Sequence, residues 1–156
     1  MSLETHRTAI VALMNAVPSI GLVHSEQPFA RQEAAFRALY LWTGGTAPQV
    51  RGWYVRRVRT AETALATGRI QNVHTWQIKG FMALEGEATA LTFELLVEAL
   101  RKAWRADPTL GSALAPGPLG ETGLQVQDTN PVSLAGVLCH SVTLGATTYE
   151  YLNWGE

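Results

Sequence analysis

The feature that most constrains the fold is the stretch 88–107, whose apolar residues recur every three or four positions. In an α-helix this spacing stacks them on one face. The apolar set is Phe93, Leu96, Val97, Leu100, Ala103 and Trp104. The opposite face carries Glu94, Glu98, Arg101, Lys102 and Arg105. Because Pro108 ends a helix at the preceding residue, the pattern predicts an amphipathic helix that must bury one face against another layer.

A second amphipathic helix and several strands supply that layer. The helix is predicted over residues 3–17, closed by Pro18, and residues 29–35 favour one further helical turn. Strands are predicted at 20–24, 36–43, 53–60, 69–84, 124–127 and 134–144, with an extension over 147–154. Helices are too few for alternating βαβ units. We therefore expect one α+β domain over residues 1–156, a mainly antiparallel sheet packed against two amphipathic helices on one face.

Turn chemistry predicts where the strands are joined. The strands at 53–60 and 69–84 form an antiparallel hairpin with an unusually long tip, residues 60–68. The tip has small residues that cannot offset an ordering cost of about 1–2 kcal/mol per residue, so we expect it to be mobile in a free subunit. Residues 110–123, rich in Gly and Pro, are predicted to be a loop, and Asn130-Pro131 a turn.

Sequence motifs for catalysis, metal binding or cofactor binding are missing. No phosphate loop, dinucleotide fingerprint, nucleophile elbow or zinc motif is present. The histidines have no metal-like spacing, so no metal site is predicted; they are His6, His24, His74 and His140. Cys139 and His140 are adjacent, and neighbouring strand residues point to opposite faces, which argues against a nucleophile–base pair. We therefore expect no enzymatic activity and no cofactor.

Composition excludes other classes. A net charge of −1 gives no global attraction to nucleic acid. The chain lacks a signal-peptide pattern and an apolar run long enough to span a membrane. The sequence feature that does suggest a function is a cluster of arginines interleaved with aromatic residues. We interpret this cluster as a protein interface. Its members are Trp53, Tyr54, Arg56, Arg57, Arg59 and Arg69, with Arg51 nearby. The alternative is a solvated edge strand defended against aggregation. Of the five tryptophans, Trp53 and Trp154 are the expected exceptions to core burial.

The arrangement of short motifs resembles the tail-terminator (tail-completion) proteins of long-tailed bacteriophages and prophages. The motifs are the helix at 3–17 followed by GLV at 21–23, WYVRRV at 53–58, WQIKGF at 76–81, an acidic turn before TFE at 92–94, and GVLCH at 136–140. The resemblance covers nearly the whole chain. It implies a small α+β structural protein that forms a ring, commonly a hexamer, on the end of the tail tube, stops tube growth and provides the head-joining surface.

The same resemblance implies partners and location. The partners are further copies of the chain, the tail tube protein and a head-completion or connector protein, with no membrane and no specific nucleic acid. The location is the virion tail, and the bacterial host cytoplasm during assembly. No catalytic or binding residue is carried over from the family.

Two other classes stay open on the sequence. One is a small-ligand-binding or enzymatic α+β domain, which requires a pocket with converging polar groups. The other is a nucleic-acid-binding module that uses the arginine-rich hairpin, which requires salt-dependent binding to DNA.

Overall fold

The structure is a computed structural model that describes residues 3–86, 89–115, 117 and 123–155. Long β-strands form its centre. The elements are α1 Leu3–Asn15, β1 Leu22–His24, α2 Glu33–Ala38, β2 Leu41–Trp42, β3 Gln49–Ala64, β4 Arg69–Ala83, α3 Thr89–Ala106, β5 Gln125–Leu134 and β6 Val137–Asn153. The strands make a six-stranded sheet in the order β1-β3-β4-β6-β5, and β2 also pairs with β3. The β1–β3 pair is parallel and the other pairs are antiparallel. The predicted α+β class is confirmed.

Both predicted amphipathic helices lie on one face of the sheet, as expected. The main core joins Ile10 and Met14 of α1 and Leu100 and Trp104 of α3 to the side chains of three strands. The strand residues include Trp53, Val55, Trp76, Ile78, Met82, Val142 and Leu144. Fully burying large apolar side chains stabilises the fold by roughly 1.5–3 kcal/mol each. The apolar face of α3 is thus the face that packs against the sheet.

A second core lies on the opposite face, where the sequence predicted no helix packing. There Phe36 and Leu39 pack with a cluster made of Tyr40, Val50, Tyr54, Phe81, Ala83, Leu134 and Cys139. The predicted strand at 36–43 was therefore largely wrong, because α2 runs to Ala38 and only Leu41–Trp42 is a strand. A short apolar run does not distinguish strand from helix, and the Glu, Ala and Arg residues before it favour helix.

The predicted turn at Asn130-Pro131 was also wrong. Both residues lie inside β5, where Pro131 is opposite His140. Proline is tolerated there because β5 is an edge strand and the missing N–H faces away from the ladder. The chain instead turns at Ala135 and Gly136, which have φ angles of 49° and 79°. Two consecutive positive φ angles are typical of a tight β-hairpin turn.

The unusual length predicted for the hairpin tip, residues 60–68, was wrong as well. β3 stays paired with β4 as far as Ala64, which is opposite Ile70, so the turn is confined to residues 65–68. Residues 60–64 gain ladder hydrogen bonds from β4, which is itself paired with β6, and these bonds offset the ordering cost that small side chains alone do not offset. The predicted loop at 110–123 contains no helix or strand in its described part, residues 110–115, 117 and 123; its other residues lie outside the described structure.

Candidate functional site

The arginine cluster lies on a strand pair that extends beyond the rest of the sheet. We call residues 56–64 of β3 and 69–77 of β4 the distal hairpin. On the outer side of β3, β1 pairs only with Gly52 to Tyr54, and β2 only with Gln49 and Val50. Within the described part of the chain, the β3 edge from Arg56 onward therefore has no strand partner.

The interface prediction fails for the two aromatic members of the cluster. Trp53 is fully buried, donates its indole N–H to the Ile20 carbonyl oxygen at 2.7 Å and stacks on Phe93 at 5.8 Å between ring centres. Tyr54 is buried on the opposite face, within the α2-side core. From the sequence we expected this part of β3 to be exposed at the surface. Instead, Trp53 packs into the core under α1 and α3, and Tyr54 packs into the core on the α2 side of the sheet.

The four arginines of the prediction are exposed, as an interface requires. They are Arg56, Arg57, Arg59 and Arg69. A β-bulge between Arg57 and Arg59 sets Val58 out of register, and Val58 is 45% exposed. Within the described residues, none of the four arginines forms an ion pair with the protein's own carboxylates. These cations are therefore available for carboxylates of another molecule.

Two large apolar side chains are exposed at the turn of the distal hairpin, beside Arg69. Leu65 is 53% exposed and Trp154 is 70% exposed. The backbone N–H of Trp154 donates to the Gly68 carbonyl oxygen at 2.7 Å, which fixes the end of β6 beside the turn. We name Arg56, Arg57, Val58, Arg59, Leu65, Arg69 and Trp154 together the distal surface. The exposure of Trp154 was predicted, but its position beside Arg69 depends on strand register that the sequence does not reveal.

A groove between α3 and β5 carries negative charge, opposite to the positive charge of the distal surface. It has a volume of about 390 Å³, and its lining includes Glu94 and Glu98 from α3 and apolar groups from β5. The apolar lining includes Val97, Val126 and Pro131. Both glutamates are exposed, and Glu98 is 2.8 Å from Arg101 of the same helix. This acidic groove thus combines carboxylates with apolar contact area.

Three residues that the sequence analysis considered separately converge under α1. His6 of α1, His74 of β4 and Glu150 of β6 are buried, and their candidate ligand atoms lie within 4.8 Å of one another. The sequence spacing of the histidines predicted no metal site, but the fold brings His6 and His74 together. Sequence spacing could not show the convergence, because it depends on the register that sets His74 opposite Thr148 and Asn72 opposite Glu150.

Hydrogen bonds hold this His6–His74–Glu150 cluster in place. His74 Nε2 is 3.0 Å from Glu150 Oε2, and His74 Nδ1 is 2.8 Å from the Thr60 hydroxyl. His6 Nδ1 is 3.1 Å from the Thr148 hydroxyl, which also accepts the Trp76 indole N–H at 2.8 Å. Burial, and secondarily the neighbouring His74, lowers the pKa of His6, although Glu150 opposes this. His6 is therefore held in its neutral form.

The adjacent Cys139 and His140 point to opposite faces, as predicted. Cys139 is buried in the α2-side core, and burial, helped by the Glu85 charge, raises the pKa of its thiol to about 11. His140 lies on the α3 side, where it stacks on Phe93 and is 2.9 Å from the Thr89 hydroxyl. These two side chains do not form a nucleophile–base pair.

A second groove lies between α1 and α3, with a volume of about 580 Å³. Its lining is dominated by small apolar side chains, among them Ala9, Ala12, Ala99 and Ala103. The charged residues of this lining are Lys102 and Asp107. Because the rest of the lining is mostly apolar, the groove gives no specific support to the small-ligand alternative.

Comparisons with known proteins do not assign a family. No protein-family model matches the chain, and no curated protein sequence matches it significantly. Among the described residues, no helix combines the length and the apolar character needed to cross a lipid bilayer.

Proposed function

We propose that this chain is a tail-terminator protein of a long-tailed bacteriophage or prophage. In this role it assembles as a ring on the end of the tail tube, stops tube growth and provides the surface that meets the head. It acts through protein contacts, not catalysis. Its partners are further copies of itself, the tube protein and a head-completion protein. The sequence resemblance suggests the family, and the observation that carries the proposal is the open, arginine-bearing edge of the distal hairpin.

The distal hairpin has the properties of an assembly surface. Its ordered edge from Arg56 to Ala64 presents unpaired backbone groups that can hydrogen-bond to another chain. Arginine and tryptophan, both exposed here, dominate the binding energy of many protein interfaces. Exposed Val58 and Leu65 add apolar area between the charges. The stability of the monomer does not require a strand edge that exposes arginines, apolar side chains and unpaired backbone groups together.

Charge favours a head-to-tail contact over a two-fold contact. If two distal hairpins met edge to edge around a two-fold axis, the arginines of both chains would be brought together and would repel. The acidic groove between α3 and β5, with Glu94 and Glu98, offers the opposite charge. A contact between two different patches of the same chain repeats from subunit to subunit and closes into a ring when the rotation allows.

The first test reverses the charge of the distal surface with Arg57→Glu and Arg59→Glu together. The unaltered protein is expected to form rings in native mass spectra in the presence of tail tubes, and the double variant to lose them. A matched control, Arg31→Glu with Arg105→Glu, changes the net charge equally at exposed positions outside the distal surface. This control should assemble normally.

A charge swap sharpens the test. Glu94→Arg and Glu98→Arg are added to the double variant, so that both proposed patches exchange sign and attraction is restored. Recovery of the ring supports contact between the distal surface and the acidic groove. If the Arg57→Glu, Arg59→Glu variant assembles as well as the parent, the hairpin is not the interface. If the parent stays monomeric even on tail tubes, the ring proposal fails.

A further inference from the structure

We propose that His6, His74 and Glu150 form a binding site for a divalent transition-metal ion, with Zn²⁺ as the preferred ion. The site joins α1 to β4 and β6, and it is separate from the distal surface and independent of the proposed ring. Two imidazoles and one carboxylate from three elements meet there in the interior of the protein. This donor set suits Zn²⁺ and other first-row transition ions better than Mg²⁺ or Ca²⁺, which prefer oxygen ligands.

The distances are close to those that a metal ion needs. Tetrahedral Zn²⁺ with bonds of about 2.0–2.2 Å holds its ligand atoms roughly 3.3–3.5 Å apart. His74 Nε2 and Glu150 Oε2 are 3.0 Å apart, and all three candidate ligand atoms lie within 4.8 Å of one another. Small side-chain rotations are therefore enough to bring the three ligands around one ion.

An unpartnered atom of His6 points to a missing ligand. His6 Nε2 is buried and has no hydrogen-bond partner. When Nδ1–H donates a hydrogen bond to the Thr148 hydroxyl, the Nε2 atom of His6 carries a free lone pair. Burial of such an atom without a partner is costly, and a bound metal ion would remove that cost.

The hydroxyl groups around the cluster match the outer shell of a metal site. Metal-binding histidines commonly donate their second ring N–H to an oxygen, which fixes the orientation of the ring. Thr148 can accept from His6 Nδ1, and Thr60 can accept from His74 Nδ1 once His74 Nε2 binds the ion. In that change a neutral His74 ring switches tautomer: Nε2 gives up its proton to solvent and Nδ1 takes one from solvent, so the charge of the ring is unchanged. Thr60 is then a positioning residue.

A second unpartnered atom adjoins the cluster. Asn72 Oδ1 is buried without a hydrogen-bond partner, and Asn72 lies opposite Glu150 in the β4–β6 ladder. Directly opposed residues of an antiparallel pair project from the same face of the sheet. Asn72 therefore offers a further oxygen on the side where Glu150 joins the cluster. One bound cation would give His6 Nε2 a partner and would lie on the same face of the sheet as Asn72.

The test is Zn²⁺ titration of the full chain by calorimetry, after removal of metal with a chelator. We expect binding of one ion per chain and a rise in melting temperature with Zn²⁺. Co²⁺ should give the visible absorption of a site with nitrogen and oxygen ligands. His6→Ala and Glu150→Gln should each weaken Zn²⁺ binding by more than about tenfold. His140→Ala, which alters a histidine outside the cluster, should bind Zn²⁺ like the parent.

A milder variant keeps the proposal testable if loss of a ligand prevents folding. Thr60→Val should weaken Zn²⁺ binding by about 10–100-fold and shift the Co²⁺ spectrum, and Thr60→Ser should restore both. A merely structural threonine would not alter the spectrum. Absence of Zn²⁺ and Co²⁺ binding by the parent overturns the proposal. So does binding that His6→Ala, Glu150→Gln and Thr60→Val leave unchanged.

Discussion

The two halves of the long β3–β4–β6 strands are built differently. In the proximal half, around Trp53 and Tyr54, apolar side chains are covered on both faces, by α1 and α3 on one side and α2 on the other. In the distal half, β3 has an open edge with exposed arginines, and the face beneath α1 buries His74 and Glu150. The same strands thus form a well-packed core at one end and a polar, partly unsatisfied region at the other.

The proximal half is therefore expected to determine the stability of the fold, and the exposed distal half is expected to determine binding to other molecules. Substitutions in the proximal half should unfold the protein, because they open cavities or create clashes in close-packed surroundings. Substitutions at exposed distal positions should leave the fold intact and change what the protein binds. Residues that the monomer does not need for stability can be used to bind partners.

The largest effect is expected from a cavity in the main core. Leu100→Ala removes a fully buried side chain of α3 and should lower the free energy of unfolding by roughly 2–5 kcal/mol. Leu95→Ala is the matched control, because Leu95 lies on the same helix and is 60% exposed. Urea titration should show a change within about half a kcal/mol for the control. Equal effects of the two variants would mean that the buried face of α3 is misassigned.

An intermediate effect is expected from a methyl group added at Gly80. A Cβ there would overlap the Trp53 indole, so Gly80→Ala should destabilise the fold by about 1–3 kcal/mol. Gly68→Ala in the distal turn is the comparison, with a φ of 80° and open space around the new atom. It should cost about 1–2 kcal/mol through backbone strain alone.

The double variant Gly80→Ala, Trp53→Phe separates the two causes. The smaller ring should relieve the clash at Gly80, whereas no side-chain change should rescue Gly68→Ala. Thermal unfolding of the four proteins measures this difference. A Gly80→Ala variant as stable as the parent would contradict the close approach of the indole to β4.

The smallest effect concerns the reactivity of the single thiol. With its pKa raised to about 11, Cys139 should react with a thiol reagent at pH 8 on the order of 100-fold more slowly than an exposed cysteine. The exposed comparison is Thr63→Cys on the distal hairpin, made in a Cys139→Ala background. Cys139→Ala alone should preserve assembly, because the thiol acts as a packing group. Rapid labelling of native Cys139 would instead indicate a functional thiol.

The proximal half was largely predictable from the sequence. Long periodic segments define α1, α3 and β4, because their burial repeats with the helical or strand period over many residues. The fold class and the helical face of the sheet follow from those segments. The exposed arginines were also found correctly, since arginine is rarely buried without a partner.

The sequence could not reveal features that depend on register and on short elements. The packing of α3 on one face of β3 and of α2 on the other buries Trp53 and Tyr54, and part of the short α2 was predicted as a strand. Pro131 resembles a turn residue but occupies a strand edge, where it needs no hydrogen-bond donor. His6 and His74 meet only because α1 crosses the distal half of the sheet. In each case tertiary structure overrides a local signal.

The contact between His6 and Thr148 has a consequence for folding kinetics. This hydrogen bond joins residues 142 positions apart in the chain. Contacts of such separation form only after a large loss of chain entropy, and proteins rich in them fold in milliseconds to seconds. The β3–β4 hairpin, with its tight turn, can form early, whereas α1 cannot complete its contacts until β6 has joined the sheet. Docking of α1 is therefore expected to be a late folding event, and slow protection of its amides from hydrogen exchange should report it.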